Sequence, residues 1–316
     1  MERVPLIVLL GPTAVGKTEI SIKLAKEINA EIISADSMQI YCYMDIGTAK
    51  VNPKQRKIVK HYMIDIIEPD ENFSVASYQD MVDDIIPAII SKEKTPLLVG
   101  GTGLYIKAVV EGFLFPKMNK DRKLRERLKK IVEEKGNEYL HKKLCRIDPE
   151  LGKKLHPNDI RRIIRGIEVY KITGKPLTYF KRKQKEQPDR YRALKIGLNR
   201  KRNELYSRIN QRVDQMIEHG LIEEVKGLLK KGYQTDKTAF QGLGYKEVIA
   251  YLEGDYSLDE AISLIKKRTR NYAKRQLTWF SKDKNIKWVN LSEVKKEVLI
   301  KTAKEKINIW KKNNRL

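Results

Sequence analysis

Cysteine is nearly absent: Cys42 and Cys145 are the only two in 316 residues. Two thiols so far apart build neither a disulfide framework nor a cysteine zinc cluster. Four scattered histidines offer no metal-ligand spacing either. No apolar run approaches the 18 residues or so of a membrane-spanning helix, so no membrane function is expected. Met1-Glu2-Arg3 lacks the form of a signal peptide, and the expected compartment is the cytoplasm. Acid is scarce beside base: 41 Asp and Glu face 65 Lys and Arg, a formal charge of +24.

Such an excess favours a polyanionic partner, although a solvated lysine-rich surface gives the same total. The distribution says more. Residues 117–195 hold 26 Lys and Arg against 11 Asp and Glu, an excess of 15 in a quarter of the chain. At this length, two domains or one domain with a large insertion are expected. With 41% apolar residues, the chain can bury a sizeable core.

The most informative stretch runs from Leu6 to Thr18. A short apolar run, Leu6 to Leu10, meets Gly11-Pro12-Thr13-Ala14-Val15-Gly16-Lys17-Thr18, and a helical pattern follows from Glu19 to Ile28. This is the G-x-x-x-x-G-K-[ST] phosphate loop in its strand-to-helix context. Glycines let successive backbone N–H groups converge, and the helix start adds positive potential. Lys17 supplies a point charge, and the Thr18 hydroxyl suits Mg2+. The residues point to a bound polyphosphate or pyrophosphate.

Further strands are expected at 31–34, 61–67 and 95–99, with helices at 78–91 and from Leu104. Alternating strands and helices predict an α/β fold, a P-loop NTPase-like parallel sheet covered on both faces. Ligands of such sheets bind beyond the carboxyl ends of the strands, which gathers the loop, Asp36 and Thr102 at one rim. From about Pro116 the pattern turns helical, at 121–134, 137–146 and 158–172, punctuated by Pro149, Pro157 and Pro176. Lys181 to Lys185 reads as a solvated charged loop. A strand at 193–198 returns to the sheet, followed by helices at 203–217, 221–231 and 258–280, a strand at 286–291 and a terminal amphipathic helix. The predicted organisation is a core of 1–115 and 196–316 interrupted by an all-helical basic insertion, 116–195.

Leu97-Leu98-Val99 runs into Gly100-Gly101-Thr102 without the carboxylate that phosphoryl-transfer enzymes place on a later strand to hold magnesium. The carboxylate at the rim is Asp36. A phosphate cradle without hydrolytic equipment points to pyrophosphate as a leaving group. Taken alone, Asp36 also reads as a helix cap beside Ser37, and Thr102 as a cap for the helix from Leu104.

The loop, Ser34-Ala35-Asp36-Ser37-Met38-Gln39-Ile40-Tyr41 and Met44-Asp45-Ile46-Gly47-Thr48-Ala49-Lys50 together resemble the tRNA dimethylallyltransferase family. The likeness continues through Leu98 to Tyr105, His156-Pro157-Asn158-Asp159 with Arg161-Arg162-Ile163-Ile164-Arg165, Arg208 to Arg212, Gly242 to Tyr245 and Tyr272 to Gln276. Cys42-Tyr43 departs from the basic residue and glycine usual in bacterial members, which puts any tRNA contact there in doubt.

The resemblance implies transfer of a dimethylallyl group from dimethylallyl diphosphate to N6 of adenosine 37 in the tRNA anticodon loop. It implies a diphosphate site at Gly11, Pro12, Thr13, Ala14, Val15, Gly16, Lys17 and Thr18, with Mg2+ on Thr18. Asp36 becomes the candidate general base, and Arg212 a partner of the diphosphate or the tRNA. Candidate tRNA contacts are Asp36, Ser37, Met38, Gln39, Thr102, Arg125, Arg161, Arg162, Ile163, Ile164, Arg165, Gln241 and Tyr245. Tyr41 and Tyr105 are either stacking partners for unstacked bases or core residues. The expected form is a monomer that engages the anticodon stem-loop. Rival readings are an adenylate isopentenyltransferase acting on free nucleotides, a P-loop small-molecule kinase and a nucleotide-gated RNA-binding module. The basic insertion favours tRNA over a mononucleotide.

Overall fold

A computed structural model describes residues 4–116, 118, 121–187 and 190–312. Met1, Glu2 and Arg3, and Lys117 at the head of the basic block, lie outside the described residues. The chain divides into two compact units, one of Met1–Glu111 with Arg190–Leu316 and one of Gly112–Asp189.

The first unit opens with β1 (Val4–Leu10), α1 (Lys17–Glu27), β2 (Ala30–Ala35), α2 (Pro53–Ile58), β3 (His61–Tyr62), α3 (Val75–Ile90), β4 (Thr95–Gly100) and α4 (Gly103–Glu111). The second unit contains α5 (Arg122–Ile147), α6 (Pro149–Lys154), α7 (Ile160–Thr173) and α8 (Leu177–Lys185). The chain then returns with β5 (Tyr191–Asn199), α9 (Arg202–Glu218), α10 (Leu221–Lys230), α11 (Tyr245–Leu252), α12 (Leu258–Phe280), β6 (Lys287–Asn290) and α13 (Lys296–Lys312).

The strands form one six-stranded sheet in the order β3-β2-β4-β1-β5-β6, and every pair is parallel. Both faces are covered, as the continuous apolar strands require. In β1, Ile7 and Leu9 join one buried cluster, with α1, α9 and α13, while Leu6, Val8 and Leu10 join another, with α3 and α4. Each of these five side chains is at most 1% exposed, and full burial of such a side chain contributes about 1.5–3 kcal/mol. A third cluster packs α9, α10, α11 and α12 around Ile40, Tyr41 and Met44.

Register decides where the strands end. Leu10 lies opposite Gly100, Gly100 opposite Ala35, and Leu10 opposite Gly197. The segments that follow β1, β2 and β4 therefore leave the sheet side by side. Gly100 is required by this closeness, since a Cβ there would lie 2.1 Å from the carbonyl oxygen of Ala35.

Two expectations change. The third strand shrinks from 61–67 to His61–Tyr62, with one further bridge between Tyr41 and Ile67. Met63 and Asp65 adopt positive φ, and Asp65 turns its carboxylate to Lys50 and Arg56, which ends the extended run. Lys181 to Lys185 is helical, within α8, rather than loop. Leu177 packs that helix against the unit's apolar core, and the buried Thr178 hydroxyl donates to Asp148 at 2.8 Å. Short helices α2, α6 and α11 were hidden because their few residues carry no readable period. The helical pair expected at 121–134 and 137–146 is present: the two helices of α5 meet at Gly136, whose φ of 80° and ψ of 167° are not helical.

Replacing Gly100 with alanine sets a methyl group against backbone that cannot rotate away. Gly100→Ala is expected to lose about 1–3 kcal/mol, the usual range for overpacking, read as a lower urea midpoint.

Candidate active site

The rim of the sheet opens into a cavity of about 710 Å³, entirely within the first unit. Residues 13, 14, 16–18, 36–39, 47–49, 241–243 and 245 contribute to its wall, as do α9 and α12.

The phosphate loop is built from strained backbone. Gly16 at φ 108° caps α1 without a side-chain hydrogen bond, which leaves the first-turn N–H groups of that helix for an anion. Ala14 holds φ 60°, unusual for a residue with a Cβ. Gly11 approaches β5 so closely that a Cβ would meet the Leu198 carbonyl oxygen at 2.5 Å. Side chains from far along the sequence hold this shape. Arg208 Nε donates to the Ala14 carbonyl at 3.0 Å and Arg200 Nε to that of Val15 at 3.0 Å. The Thr13 N–H donates to Gln276 Oε1 at 2.8 Å.

Lys17 donates to the Gly11 and Pro12 carbonyls at 2.9 and 2.8 Å, so its ammonium lies across the loop. Burial pulls its pKa down to about 7; Asp36 opposes the shift and Arg212 adds to it. Burial likewise lowers the Arg212 guanidinium, again with Asp36 acting the other way. These couplings tie Lys17, Asp36 and Arg212 into one electrostatic group beside the cavity. The Thr18 hydroxyl also faces the cavity and makes no hydrogen bond among the described residues.

Asp36 follows β2 directly. Its Oδ1 accepts the Met38 N–H at 2.9 Å, a local turn that fixes the carboxylate and leaves Oδ2 without a donor among the described residues. The Ser37 N–H donates to the Thr102 hydroxyl at 3.1 Å. Thr102 thus braces the 36–38 segment, and it does not itself line the cavity. Tyr272 is in hydrogen-bonding contact with Thr102 and Gln276; burial, then the charge of Asp36, raises its phenol to about 12.

Among the expected contacts, Lys17, Thr18, Asp36, Ser37, Met38, Gln39, Arg212, Gln241 and Tyr245 meet at this cavity, as do Thr13, Ala14 and Gly16. Gly11 and Val15 are buried beneath the loop, and Pro12 is buried too. Gln39 is already committed: Oε1 accepts from Ser34 at 3.1 Å, and Nε2 donates to Thr48 and Ala49 carbonyls at 3.4 Å. Tyr245 is fully buried, and its hydroxyl donates to Glu224 at 2.7 Å. That carboxylate also accepts N–H bonds from Asp45, Ile46 and Gly47, and so holds the turn beside the cavity. Tyr41 and Tyr105 are core residues, and Tyr105 stacks on Tyr78 with centroids 4.1 Å apart.

The remaining candidates belong to the second unit. Ile163 and Ile164 are 0% and 5% exposed and pack in its core with Leu128, Leu140 and Leu144, so their side chains cannot serve as RNA contacts. Arg125 and Arg165 both pair with the buried Glu168, at 2.7 and 2.8 Å. Two guanidiniums offset one buried carboxylate, which is costly to leave unpaired. Arg161 and Arg162 are exposed. Sequence reasoning missed Glu224, Arg200 and Gln276 as parts of the site's frame, because their contacts join residues 91 to 263 positions apart or lie on ordinary polar helix faces.

Comparison with known proteins follows this geometry. The family described as IPP transferase matches residues 39–283. The chain is 64% identical over 287 residues to the tRNA dimethylallyltransferase of Halothermothrix orenii, covering 91% of this chain and 88% of that one. It is 53% identical over 283 residues to the tRNA dimethylallyltransferase of Carboxydothermus hydrogenoformans, covering 90% and 91%. The crystal structure of full-length tRNA isopentenylpyrophosphate transferase from Bacillus halodurans superposes with a TM-score of 0.75 at 42% identity, over 99% of this chain and 98% of that one. A eukaryotic dimethylallyltransferase acting on tRNA gives a TM-score of 0.74 at 30% identity, over 92% and 74%. With relatives this similar over nearly its whole length, the chain belongs to the tRNA dimethylallyltransferase (IPP transferase) family.

Proposed function

We propose that the protein transfers the dimethylallyl group of dimethylallyl diphosphate to N6 of adenosine 37 in the tRNA anticodon loop. The observation that carries this reading is the placement of Asp36 at the same cavity as the phosphate loop and Lys17. In the reaction, the bond between C1 and the diphosphate oxygen breaks, the C1–N6 bond forms, and the N6 proton passes to Asp36. The first-turn N–H groups of α1, with Lys17 and Arg212, stabilise the negative charge that grows on the leaving diphosphate. Asp36 is held ready by its own turn and by the brace from Thr102 to Ser37.

A Mg2+ ion fits the donor chemistry here. The Thr18 hydroxyl is a hard oxygen on the cavity wall that would hold the ion together with diphosphate oxygens and water. When bound, the ion spreads the charge of the leaving group. The helical unit, 112–189, is the proposed RNA grip, with exposed Arg161 and Arg162 as phosphate contacts. Such contacts position the RNA without reading its sequence. The target adenine must leave its stack to reach Asp36.

Unmodified tRNA incubated with dimethylallyl diphosphate and Mg2+ should yield a dimethylallyl adduct of adenosine by nucleoside mass analysis; an unchanged nucleoside profile would sink the assignment. Asp36→Asn preserves the turn to Met38 and removes the base. It is expected to slow transfer by about 10²–10⁴-fold with tRNA affinity intact, measured by single-turnover kinetics and filter binding.

Lys17 generates a pH signature. With a pKa of about 7 in the free protein, it is largely neutral at pH 8 and largely charged at pH 6. A diphosphate beside it favours the charged form and raises the pKa. Lys17 should therefore add close to one proton to the uptake on binding of inorganic diphosphate at pH 8 and close to none at pH 6, and its contribution to affinity should fall as pH rises above about 7. Calorimetry in buffers of different ionisation enthalpy measures this, and Lys17→Met should abolish that share of the uptake. In the helical unit, Arg161→Ala with Arg162→Ala should lower the salt slope of tRNA binding by about 1 per lost phosphate contact.

A further inference from the structure

One side chain of α12 touches both halves of the cavity frame. Gln276 Oε1 accepts the Thr13 N–H of the phosphate loop at 2.8 Å, and Nε2 donates to the Gly101 carbonyl at 2.9 Å. The side chain is 6% exposed, so its amide is held by these partners rather than by solvent. The fit is tight: a Cβ at Gly101 would lie 2.3 Å from Gln276 Nε2. Gly101 adjoins Thr102, whose hydroxyl accepts the Ser37 N–H beside Asp36. Tyr272, four residues before Gln276 on the same helix face, contacts both Thr102 and Gln276. Arg208 and Arg200 also grip the phosphate loop, at Ala14 and Val15, and among the described residues neither bonds to the segment after β4.

We propose that Gln276 is a positioning residue that fixes the leaving-group loop against the segment bearing the general base, and so couples diphosphate departure to capture of the allylic carbon by the RNA amine. The proposal rests on the prenyl-transfer reading above. Gln276 lines the cavity wall, but both ends of its amide are committed to Thr13 and Gly101, so it acts through Thr13 and through Gly101-Thr102. The phosphate loop contains a residue with a Cβ at φ 60° and depends on outside contacts to keep its shape. The amide bridge sets that loop's distance from Asp36. A small slip would leave the carbon out of line with N6 while leaving departure of the diphosphate possible.

The uncoupled reaction balances without another reagent. The C1–O bond breaks, diphosphate leaves, a water oxygen bonds to the allylic carbon, and the water's proton goes to solvent. The products are a five-carbon alcohol and diphosphate, with no change of oxidation state.

The test counts diphosphate released per dimethylallyl group joined to tRNA, using the full chain with saturating tRNA, dimethylallyl diphosphate and Mg2+. The wild-type ratio should be one. Gln276→Leu is expected to lower kcat for transfer by about a hundredfold, to raise the ratio above one, and to leave direct tRNA binding unchanged. Gln276→Asn keeps an amide one methylene too short to span both partners, and should also raise the ratio; it serves if the leucine variant does not fold. A general loss of structure lowers both products together and leaves the ratio at one. A ratio of one in either folded variant therefore overturns the proposal, whatever happens to kcat. Wild-type protein that forms no prenylated tRNA would instead overturn the reaction assignment.

Discussion

The site depends on the parallel register of four strands. Because Leu10, Gly100, Ala35 and Gly197 lie side by side, the chain leaves β1, β2 and β4 at one level. A shift of one residue in any pair would turn every side chain of that strand to the opposite face of the sheet. The alternation of Leu6, Val8 and Leu10 with Ile7 and Leu9 between two buried clusters opposes such a shift. Apolar packing thus sets the position of Gly11, Asp36 and Gly101, three residues that contribute little to the core. The glycine at 100 keeps the two strands close enough for this to hold.

Lys17, Asp36 and Arg212 form one coupled charged group on the cavity wall. Burial lowers the proton affinity of both Lys17 and Arg212, Arg212 adds to the effect on Lys17 and Arg208 to that on Arg212, while Asp36 supports both. The loop's backbone is incomplete by itself. Its strained turn is held by Arg200, Arg208 and Gln276, all contributed by the part of the chain that follows the helical insertion.

The helical unit shows why net charge overstates a binding surface. Arg125 and Arg165 count toward the basic excess, yet both are matched to Glu168, a carboxylate with no exposed surface. Breaking that pairing would strand a buried charge, so their first role is to hold α5 to α7. Arg161 and Arg162 stand on the exposed side of α7, while Ile163 and Ile164 of the same short run form its buried side. A contiguous sequence pattern is here divided by the helix between solvent and core.

Local chemistry made the phosphate loop, the parallel α/β class and the helical character of 121–172 legible in the sequence. Glycine spacing, apolar strand runs and prolines act over a few residues and need no knowledge of the fold. Asp36 was placed at the loop's rim by the rule that parallel sheets bind ligands beyond their carboxyl ends, whereas Arg212 was a candidate only through the family resemblance, and nothing local could bring it to Lys17. Distant partners were invisible for the same reason. Gln276 is one polar residue on an amphipathic helix until α12 is packed over the sheet rim, and Glu224 becomes a fourfold acceptor only when the 45–47 turn and Tyr245 close around it. Tyr41, Tyr105 and Ile163 needed burial to separate core from contact. The sequence alone determined which chemical groups were present and which short elements carry them; the tertiary structure decided which groups face one cavity, because long-range packing and strand register, not neighbours along the chain, set those distances.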